Sequence, residues 1–315
     1  MDTDTSPKSH PTVGFVGLGL MGRGIARNLD AAGLLVAATD LAPDAFHLAE
    51  FSSRVRNEPV ASMAESCDIL LFAVPSSHQI AQAAIGENGF AGRSAPGQII
   101  VDLTTSDPDV TRNLARSLTE SGWHYVDAAM TGGAAGADAG TLTLMIGGEE
   151  NAVAYCRPVF DAFAQKTFHL GPTGSGQAMK LIHNMILHTT FLATCEGCRL
   201  AERAGLDLAT VVDVLNAGNA RSFVSEVRFP RHIVSGTFDA RSYVSTLAKD
   251  LGMAVSFAER QGPPPRFGSL TYAMLDEARN KGFGGEDFSR LYQHFDALAD
   301  SLSVSRSAPR RETAE

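Results

Sequence analysis

Residues 14–24, GFVGLGLMGRG, decide the fold. They contain the G-x-G-x-x-G pattern Gly17-Leu18-Gly19-Leu20-Met21-Gly22, which directly follows an apolar segment and opens a segment with helical periodicity. In this context the first glycine allows a tight turn, the second lets a ligand approach the backbone, and the third lets the helix pack on a sheet. A tight turn that binds nothing is the alternative interpretation. In either case the stretch predicts the first βα unit of a doubly wound sheet.

The chain up to Gly171 continues this alternation of strand and helix. Short runs rich in Val, Ile and Leu alternate with amphipathic segments, as expected for parallel strands covered by helices on both faces. The predicted strands are residues 12–16, 34–39, 69–74, 98–103, 124–127, 143–146 and 167–170, and the helices between them include residues 21–32, 76–84 and 109–121. We therefore predict an α/β, Rossmann-like doubly wound domain over residues 12–172.

The pattern changes after Gly171. Residues 175–204 form one helical pattern without proline, which at about 1.5 Å per residue predicts a helix roughly 45 Å long. A helix of that length would bridge two domains or enter a partner subunit. Further helices are predicted at residues 208–216, 223–232, 242–261, 267–281 and 288–302. We predict an all-α domain over residues 173–302, joined to the first domain by the long helix, and disordered tails at residues 1–11 and 303–315.

The composition excludes several classes of protein. The chain has 315 residues, and 26 Lys and Arg against 35 Asp and Glu give a net charge of −9, which argues against a basic surface for nucleic acid. The polar first residues lack the apolar core of a signal peptide, and no run approaches the roughly 18 apolar residues of a membrane span. We expect a soluble, cytoplasmic protein that binds neither nucleic acid nor membrane.

The four cysteines are too few and too scattered for a disulfide framework, which fits a reducing compartment. Cys195 and Cys198 form a C-x-x-C pattern inside a helical segment, and no second pair completes a zinc site. A redox or metal site is one interpretation of this pair, and core packing is the other. We favour packing and predict no bound metal.

An acidic residue follows the second predicted strand. Asp40 stands 21 positions after Gly19, where a carboxylate can accept hydrogen bonds from the ribose hydroxyls of a dinucleotide. Its charge would repel a 2′-phosphate, and neither Arg nor Lys follows it in Leu41-Ala42-Pro43. This residue predicts NAD rather than NADP as the cofactor. The predicted binding residues are Gly17, Leu18, Gly19, Leu20, Met21, Gly22 and Asp40.

A lysine lies near the start of the long helix. Lys180 is four residues before Asn184, a spacing that puts both on one helix face, with His183 beside them. A lysine in the first turns of an apolar helix suits neither packing nor the helix dipole, which favours anions there. A cleft explains its position, and a solvated lysine is the alternative.

Four motifs, in order, resemble one family. They are residues 14–22; residues 127–133, DAAMTGG, running on through Gly136 and Gly140-Thr141-Leu142-Thr143; Gly174-Ser175-Gly176 followed by Lys180 and Asn184; and Lys249-Asp250-Leu251. From Thr12 to about Leu302 the chain resembles the β-hydroxyacid dehydrogenases, the group that includes 3-hydroxyisobutyrate dehydrogenase and tartronate semialdehyde reductase. The resemblance covers nearly the whole chain.

The resemblance implies an NAD-dependent oxidoreductase that interconverts a small 3-hydroxy carboxylate, similar to 3-hydroxyisobutyrate, and its semialdehyde by hydride transfer. Lys180 would exchange a proton with the substrate as acid and base, and Asn184 would orient the substrate or the lysine. Lys249 would close over cofactor and substrate from the second domain. A homodimer or homotetramer is also implied, in which the long helix and the helical domain pack between subunits.

The remaining implied contacts come from two segments. Thr131, Gly132 and Gly133 would hold the substrate carboxylate through a hydroxyl and backbone N–H groups. Val74, Pro75 and Thr105 would line the nicotinamide side of the cofactor.

The chain departs from the family pattern at several positions. Many members carry two asparagines after the lysine, whereas the first is His183 here; Thr131 replaces the commoner serine, and Met130 precedes it. The proline often found near Arg23 and Gly24 is missing. His183 is either a structural histidine, which we favour, or a catalytic one. The identity of the substrate is left open by these differences.

Two other functions compete with the dehydrogenase. Imine reductases resemble this architecture but usually lack a lysine at the position of Lys180. A non-catalytic NAD-binding module is the second alternative, and Lys180 with Asn184 argues against it. Turnover of NADH with a panel of semialdehydes would distinguish the three.

Overall fold

The computed structural model describes residues 11–87, 89–93 and 97–301. The described residues up to Ile182 form one compact unit, unit 1, and those from His183 form another, unit 2. Our predicted domain boundary lies ten residues earlier, between 172 and 173, because the first turns of the long helix bond to the sheet of unit 1. The predicted tails lie outside the described residues except for Pro11, which is buried rather than disordered.

Unit 1 contains one eight-stranded sheet with the strand order β3-β2-β1-β4-β5-β6-β7-β8. Neighbouring strands pair in parallel except β6 and β7, which are antiparallel. The strands are β1 Val13–Val16, β2 Leu35–Thr39, β3 Arg56–Asn57, β4 Ile69–Phe72, β5 Ile99–Asp102, β6 His124–Thr131, β7 Leu142–Gly147 and β8 Ala164–His169. The order confirms the predicted doubly wound sheet. β3 is not predicted by the sequence pattern, because its two residues are exposed and polar.

Helices cover both faces of this sheet. Along β4, Ile69 and Leu71 pack into one buried cluster while Leu70 and Phe72 pack into the other, so both faces are apolar. The helices of unit 1 are α1 Leu20–Ala31, α2 Ala45–Leu48, α3 Val60–Ser66, α4 Ser77–Ile85, α5 Pro108–Glu120, α6 Gly133–Ala139 and α7 Glu150–Asp161. A strand buried on both faces explains the continuous apolar runs of the sequence.

The long predicted helix is present as α8, Ser175–Arg203, which begins in unit 1 and continues into unit 2. Unit 2 then adds α9 Leu208–Ala217, a π-helix Val224–Val234, α10 Val244–Gln261, α11 Arg266–Asn280 and α12 Leu291–Ser301. The segment 223–232 was expected to be an ordinary helix, but residues Val224–Val234 form a π-helix. The segment 288–302 was expected to be one helix, but it starts with the 3-10 turn Phe288–Arg290, which the Asp287 carboxylate caps at Ser289 N–H.

The core of unit 2 combines aliphatic side chains with aromatic ones, which include Phe191, Phe229 and Phe288. Cys195 and Cys198 lie in this core with both side chains buried, and burial raises the pKa of the Cys198 thiol to about 11. Their packing agrees with the interpretation as core residues. Among the described residues, no group of three or more potential ligands could hold a metal ion, and no helix is long and apolar enough to cross a membrane.

Candidate active site

In the glycine turn between β1 and α1, two glycines pack closely against protein atoms, and the glycine between them faces open space. Gly17 has a φ of +101°, and a Cβ there would lie 2.5 Å from the carbonyl oxygen of Ala73. A Cβ on Gly22 would overlap the carbonyl oxygen of Gly17, whereas a Cβ on Gly19 would meet no atom within 4 Å. The N-cap residue of α1 is Gly19, which has no side chain to cap the first turn. An open turn with uncapped helix N–H groups fits the pyrophosphate of a dinucleotide.

Asp40 is fixed beside this turn. Its Oδ2 accepts a hydrogen bond from Leu18 N–H at 2.5 Å, and its Oδ1 accepts one from Ala42 N–H at 2.7 Å. The carboxylate is half-buried. The structure therefore places Asp40 next to the glycine turn, as its spacing predicts, and the pair of carboxylate and turn fits the ribose and pyrophosphate of NAD.

The carboxyl ends of β4 and β5 come next along the sheet. Phe72, the last residue of β4, pairs with Val16 at the end of β1 and with Asp102 at the end of β5. Parallel strands end at one edge, so Val74, Pro75 and Thr105 follow strands whose carboxyl ends adjoin that of β1. This edge is where open α/β sheets bind ligands.

A buried carboxylate shapes that edge. Asp102 accepts hydrogen bonds from Thr104 N–H at 2.8 Å, from the Tyr125 hydroxyl at 2.8 Å and from the Ser77 hydroxyl at 3.0 Å. Burial raises the pKa of Asp102, while these hydrogen bonds lower it. The contacts tie the loop before Thr105 to β6 and to the start of α4. No sequence motif marked this network.

The predicted carboxylate-binding segment lies where β6 ends and α6 begins. Thr131 is the last residue of β6, and Gly132 follows it with a φ of +127°. The segment is positioned by packing of α6 on α1, because Asn28 Nδ2 donates to the carbonyl oxygens of Ala137 at 2.8 Å and of Gly24 at 2.9 Å. The helix that follows the glycine turn, α1, therefore also fixes α6, the helix that follows Thr131.

The start of α8 is anchored to β6 by a second buried carboxylate. Asp127 Oδ1 accepts from Gly174 N–H at 2.7 Å, and its Oδ2 accepts from Gln177 N–H at 2.9 Å. Burial raises the pKa of Asp127 to about 6, against the lowering effect of these two hydrogen bonds, and the charge of Asp102 raises it further. The carboxylate thus occupies the helix N-terminus as a cap provided by another element.

The same helical turn holds the loop around Thr105. Gln177 is fully buried; its Oε1 accepts from Ser106 N–H at 2.9 Å, and its Nε2 donates to the carbonyl oxygen of Thr104 at 3.0 Å. These two hydrogen bonds flank Thr105 on both sides. Lys180 is half-buried three residues after Gln177, so its helical turn is tied to that loop. Sequence reasoning missed Gln177.

In unit 2 a third buried carboxylate brings together two predicted site residues. Asn184 is 5% exposed, and its Nδ2 donates to Asp250 Oδ2 at 2.8 Å. Lys249 Nζ lies 3.2 Å from the other carboxylate oxygen of Asp250, and the Lys249 side chain is 41% exposed. The sequence motif contained Asp250 but gave it no role. Lys180 and Asn184 lie four residues apart on the same helix, α8.

Two family models cover most of the chain. The NAD-binding domain of 6-phosphogluconate dehydrogenase matches residues 12–171. The NAD-binding domain of NADP-dependent 3-hydroxyisobutyrate dehydrogenase matches residues 174–295. The two matches meet near the start of α8.

Curated relatives of similar length include three dehydrogenases. The mitochondrial 3-hydroxyisobutyrate dehydrogenase of Rattus norvegicus is 31% identical, covering 92% of this chain and 88% of that protein. The 2-(hydroxymethyl)glutarate dehydrogenase of Eubacterium barkeri is 30% identical, covering 93% and 97%. The L-threonate dehydrogenase of Cupriavidus necator is 32% identical, covering 91% and 96%.

Solved structures agree with these relatives. The 3-hydroxyisobutyrate dehydrogenase of Salmonella typhimurium superposes with a TM-score of 0.79 at 32% identity, covering 90% of this chain and 99% of that one. That of Mycobacterium tuberculosis, in a structure with L-serine, gives 0.82 at 25% identity, covering 91% and 99%. An imine reductase from Pseudomonas sp. gives 0.61 at 18% identity, which shows a common fold alone.

Proposed function

Since this chain belongs to the β-hydroxyacid dehydrogenase family, we propose that it interconverts a small 3-hydroxy carboxylate and its semialdehyde, with Lys180 as acid and base. The protein is an oxidoreductase that acts on hydroxy acids, and its cofactor is NAD. One observation supports the proposed role of Lys180. The Gln177 side chain ties the helical turn before Lys180 to both sides of Thr105, the residue proposed to line the nicotinamide.

The proposed chemistry needs one proton transfer from the protein. NAD supplies the group that accepts a hydride when the alcohol is oxidised and returns it when the aldehyde is reduced. The Lys180 amine takes the hydroxyl proton during oxidation and gives it back during reduction. As an ammonium it also stabilises the alkoxide that develops on the substrate oxygen. Asn184, one helical turn later, orients the substrate.

The substrate carboxylate is proposed to bind at the end of β6. The Thr131 hydroxyl and the backbone N–H groups of Gly132 and Gly133 can donate hydrogen bonds there without adding a charge. The three curated relatives act, by their names, on acids that each carry both a hydroxyl and a carboxylate, which supports this substrate class.

A substrate panel tests the proposed function. Formation of NADH is followed with 3-hydroxyisobutyrate, serine, glycerate, 4-hydroxybutyrate and an aromatic 3-hydroxy acid. We expect the highest kcat/KM with a small 3-hydroxy acid, and at least about 10²-fold less with its methyl ester, because the ester removes the negative charge that the site binds. Reduction of cyclic imines without oxidation of any acid would favour the imine reductase instead.

We further propose that NAD is preferred over NADP. A 2′-phosphate would approach the Asp40 carboxylate, which two backbone N–H groups hold in place. Titration of nicotinamide fluorescence is expected to give a Kd for NADH at least about tenfold lower than for NADPH, and Asp40→Asn should remove most of that difference. Equal Kd values for the wild type would contradict the proposal.

We also propose a cytoplasmic homodimer or homotetramer. Unit 2 exposes large apolar side chains that a second subunit could cover: Ile186 is 59% exposed on α8, and Phe267 is 78% exposed on α11.

A further inference from the structure

The side chain of Asn184 is held at both ends. An asparagine side chain has two N–H donors on Nδ2 and an oxygen that can accept two hydrogen bonds. Nδ2 donates to Asp250 Oδ2 at 2.8 Å, and Oδ1 lies 3.1 Å from Nδ1 of His183. Asn184 and Asp250 are both buried, at 5% and 6% exposure. A carboxamide with both ends bonded in a buried site has one orientation.

The Asp250 carboxylate determines whether the oxygen or the nitrogen of the Asn184 amide faces it. If the amide were rotated by half a turn, its oxygen would face the Asp250 oxygen, and two acceptors would repel each other. Lys249 Nζ lies 3.2 Å from Asp250 Oδ1, so a cation stands beside the carboxylate. The amide oxygen therefore faces His183.

This orientation determines where the histidine carries its proton. Because Asn184 Oδ1 can only accept, His183 must donate from Nδ1. Its neutral form then has the proton on Nδ1, which is the less common tautomer of histidine in water. The order of donors is fixed: His183 donates to Asn184, and Asn184 donates to Asp250.

We propose that His183 and Asp250 are positioning residues that act through Asn184, fixing its carboxamide so that the second Nδ2–H of Asn184 is presented to the substrate. The proposal rests on the proposed function for the step in which Asn184 contacts the substrate. It explains the departure at residue 183: a second asparagine could also donate to Asn184, whereas an apolar residue could not. His183 itself takes no proton from the substrate.

A double-mutant cycle tests this. His183→Leu removes the donor and is expected to lower kcat/KM about tenfold in the wild-type background, because the Oδ1 end of the Asn184 amide is then no longer held and Nδ2 can shift about its contact with Asp250. In an Asn184→Ala background the same change should alter kcat/KM by less than about twofold, since the residue it acts through is missing. His183→Asn, the matched control, keeps a donor and should retain most of the kcat/KM. Equal losses from His183→Leu in both backgrounds would overturn the proposal.

The tautomer gives a readout that needs no turnover. Imidazole ¹⁵N NMR of the NAD-bound protein at alkaline pH should show His183 protonated at Nδ1, and Asp250→Leu should shift it toward the common tautomer. Protonation at Nε2 in the wild type would overturn the proposal. If Lys180→Ala abolishes turnover while the cycle is additive, the proposed function stands and the positioning role fails. If neither the wild type nor any variant oxidises an acid, the proposed function fails. The tautomer of His183 then decides by itself whether His183 holds Asn184.

Discussion

The beginning of α8 and its next turns are each held by a buried aspartate, but the two aspartates hold different parts of the chain. In unit 1, Asp127 accepts hydrogen bonds from two backbone N–H groups, those of Gly174 and Gln177. In unit 2, Asp250 accepts one from the side chain of Asn184. The first contact fixes the position of the helix through its backbone. The second fixes the orientation of a single functional group.

This difference determines what substitutions should do. Changes at the Asp127 anchor should appear first as lost stability, because backbone packing is disturbed. Changes at Asn184, His183 or Asp250 should appear first as lost activity with little loss of stability.

Two glycines on α8 give a matched pair. A Cβ on Gly176 would overlap the carbonyl oxygen of Met145 and lie 2.9 Å from Asp127 Oδ2, whereas a Cβ on Gly197 would meet nothing within 4 Å. Gly176→Ala should lower the free energy of unfolding by about 3 kcal/mol, since the helix start must move off the sheet. Gly197→Ala should raise it by up to about 1 kcal/mol, because alanine favours a helix.

Urea unfolding of both variants measures this difference. Similar changes in the two variants would mean that the start of α8 is not tightly packed on the sheet, and the contrast between the two regions would be lost.

A smaller effect is expected from the charge of Asp127. Its pKa in the folded protein is about 6, above the ordinary value of 3.8, so the folded protein binds this proton more readily than the unfolded chain. The resulting stabilisation is present at low pH and is lost as the pH rises through about 6. The free energy of unfolding of the wild type, minus that of Asp127→Asn, should therefore fall by about 1 kcal/mol from about pH 5 to about pH 7.5.

The subtraction removes the other titrating groups, which both proteins share. A difference that rises with pH would mean that the two backbone hydrogen bonds to Asp127 outweigh its burial.

Local features of the fold were predictable from the sequence. The β1 turn, α1 and Asp40 follow from spacing within one βα unit, and the predicted helix 175–204 differs from α8 by one residue. The π-helix Val224–Val234 was not predictable, because its hydrogen-bonding pattern leaves little trace in apolar periodicity. β3 was missed because only its backbone pairing with β2 defines it, and its two residues form no apolar face.

The partners of the site residues were the hardest to predict. Asp127 and Gln177 are 50 residues apart, Ser106 and Gln177 are 71 apart, and Asn184 and Asp250 are 66 apart. Such hydrogen bonds depend on the packing of distant elements, which no local pattern encodes. The motifs indicated Lys180, Asn184 and Lys249, but not the residues that hold them in place.

The central claim is that Lys180 transfers the proton. Lys180→Ala should lower kcat with the best hydroxy acid by at least about 10²-fold, while the Kd for NADH, measured by fluorescence, stays within about twofold because the glycine turn and Asp40 are untouched. Lys166→Ala, which changes an exposed lysine on β8, is the control and should keep full activity. Retention of most of the activity by Lys180→Ala would contradict the account.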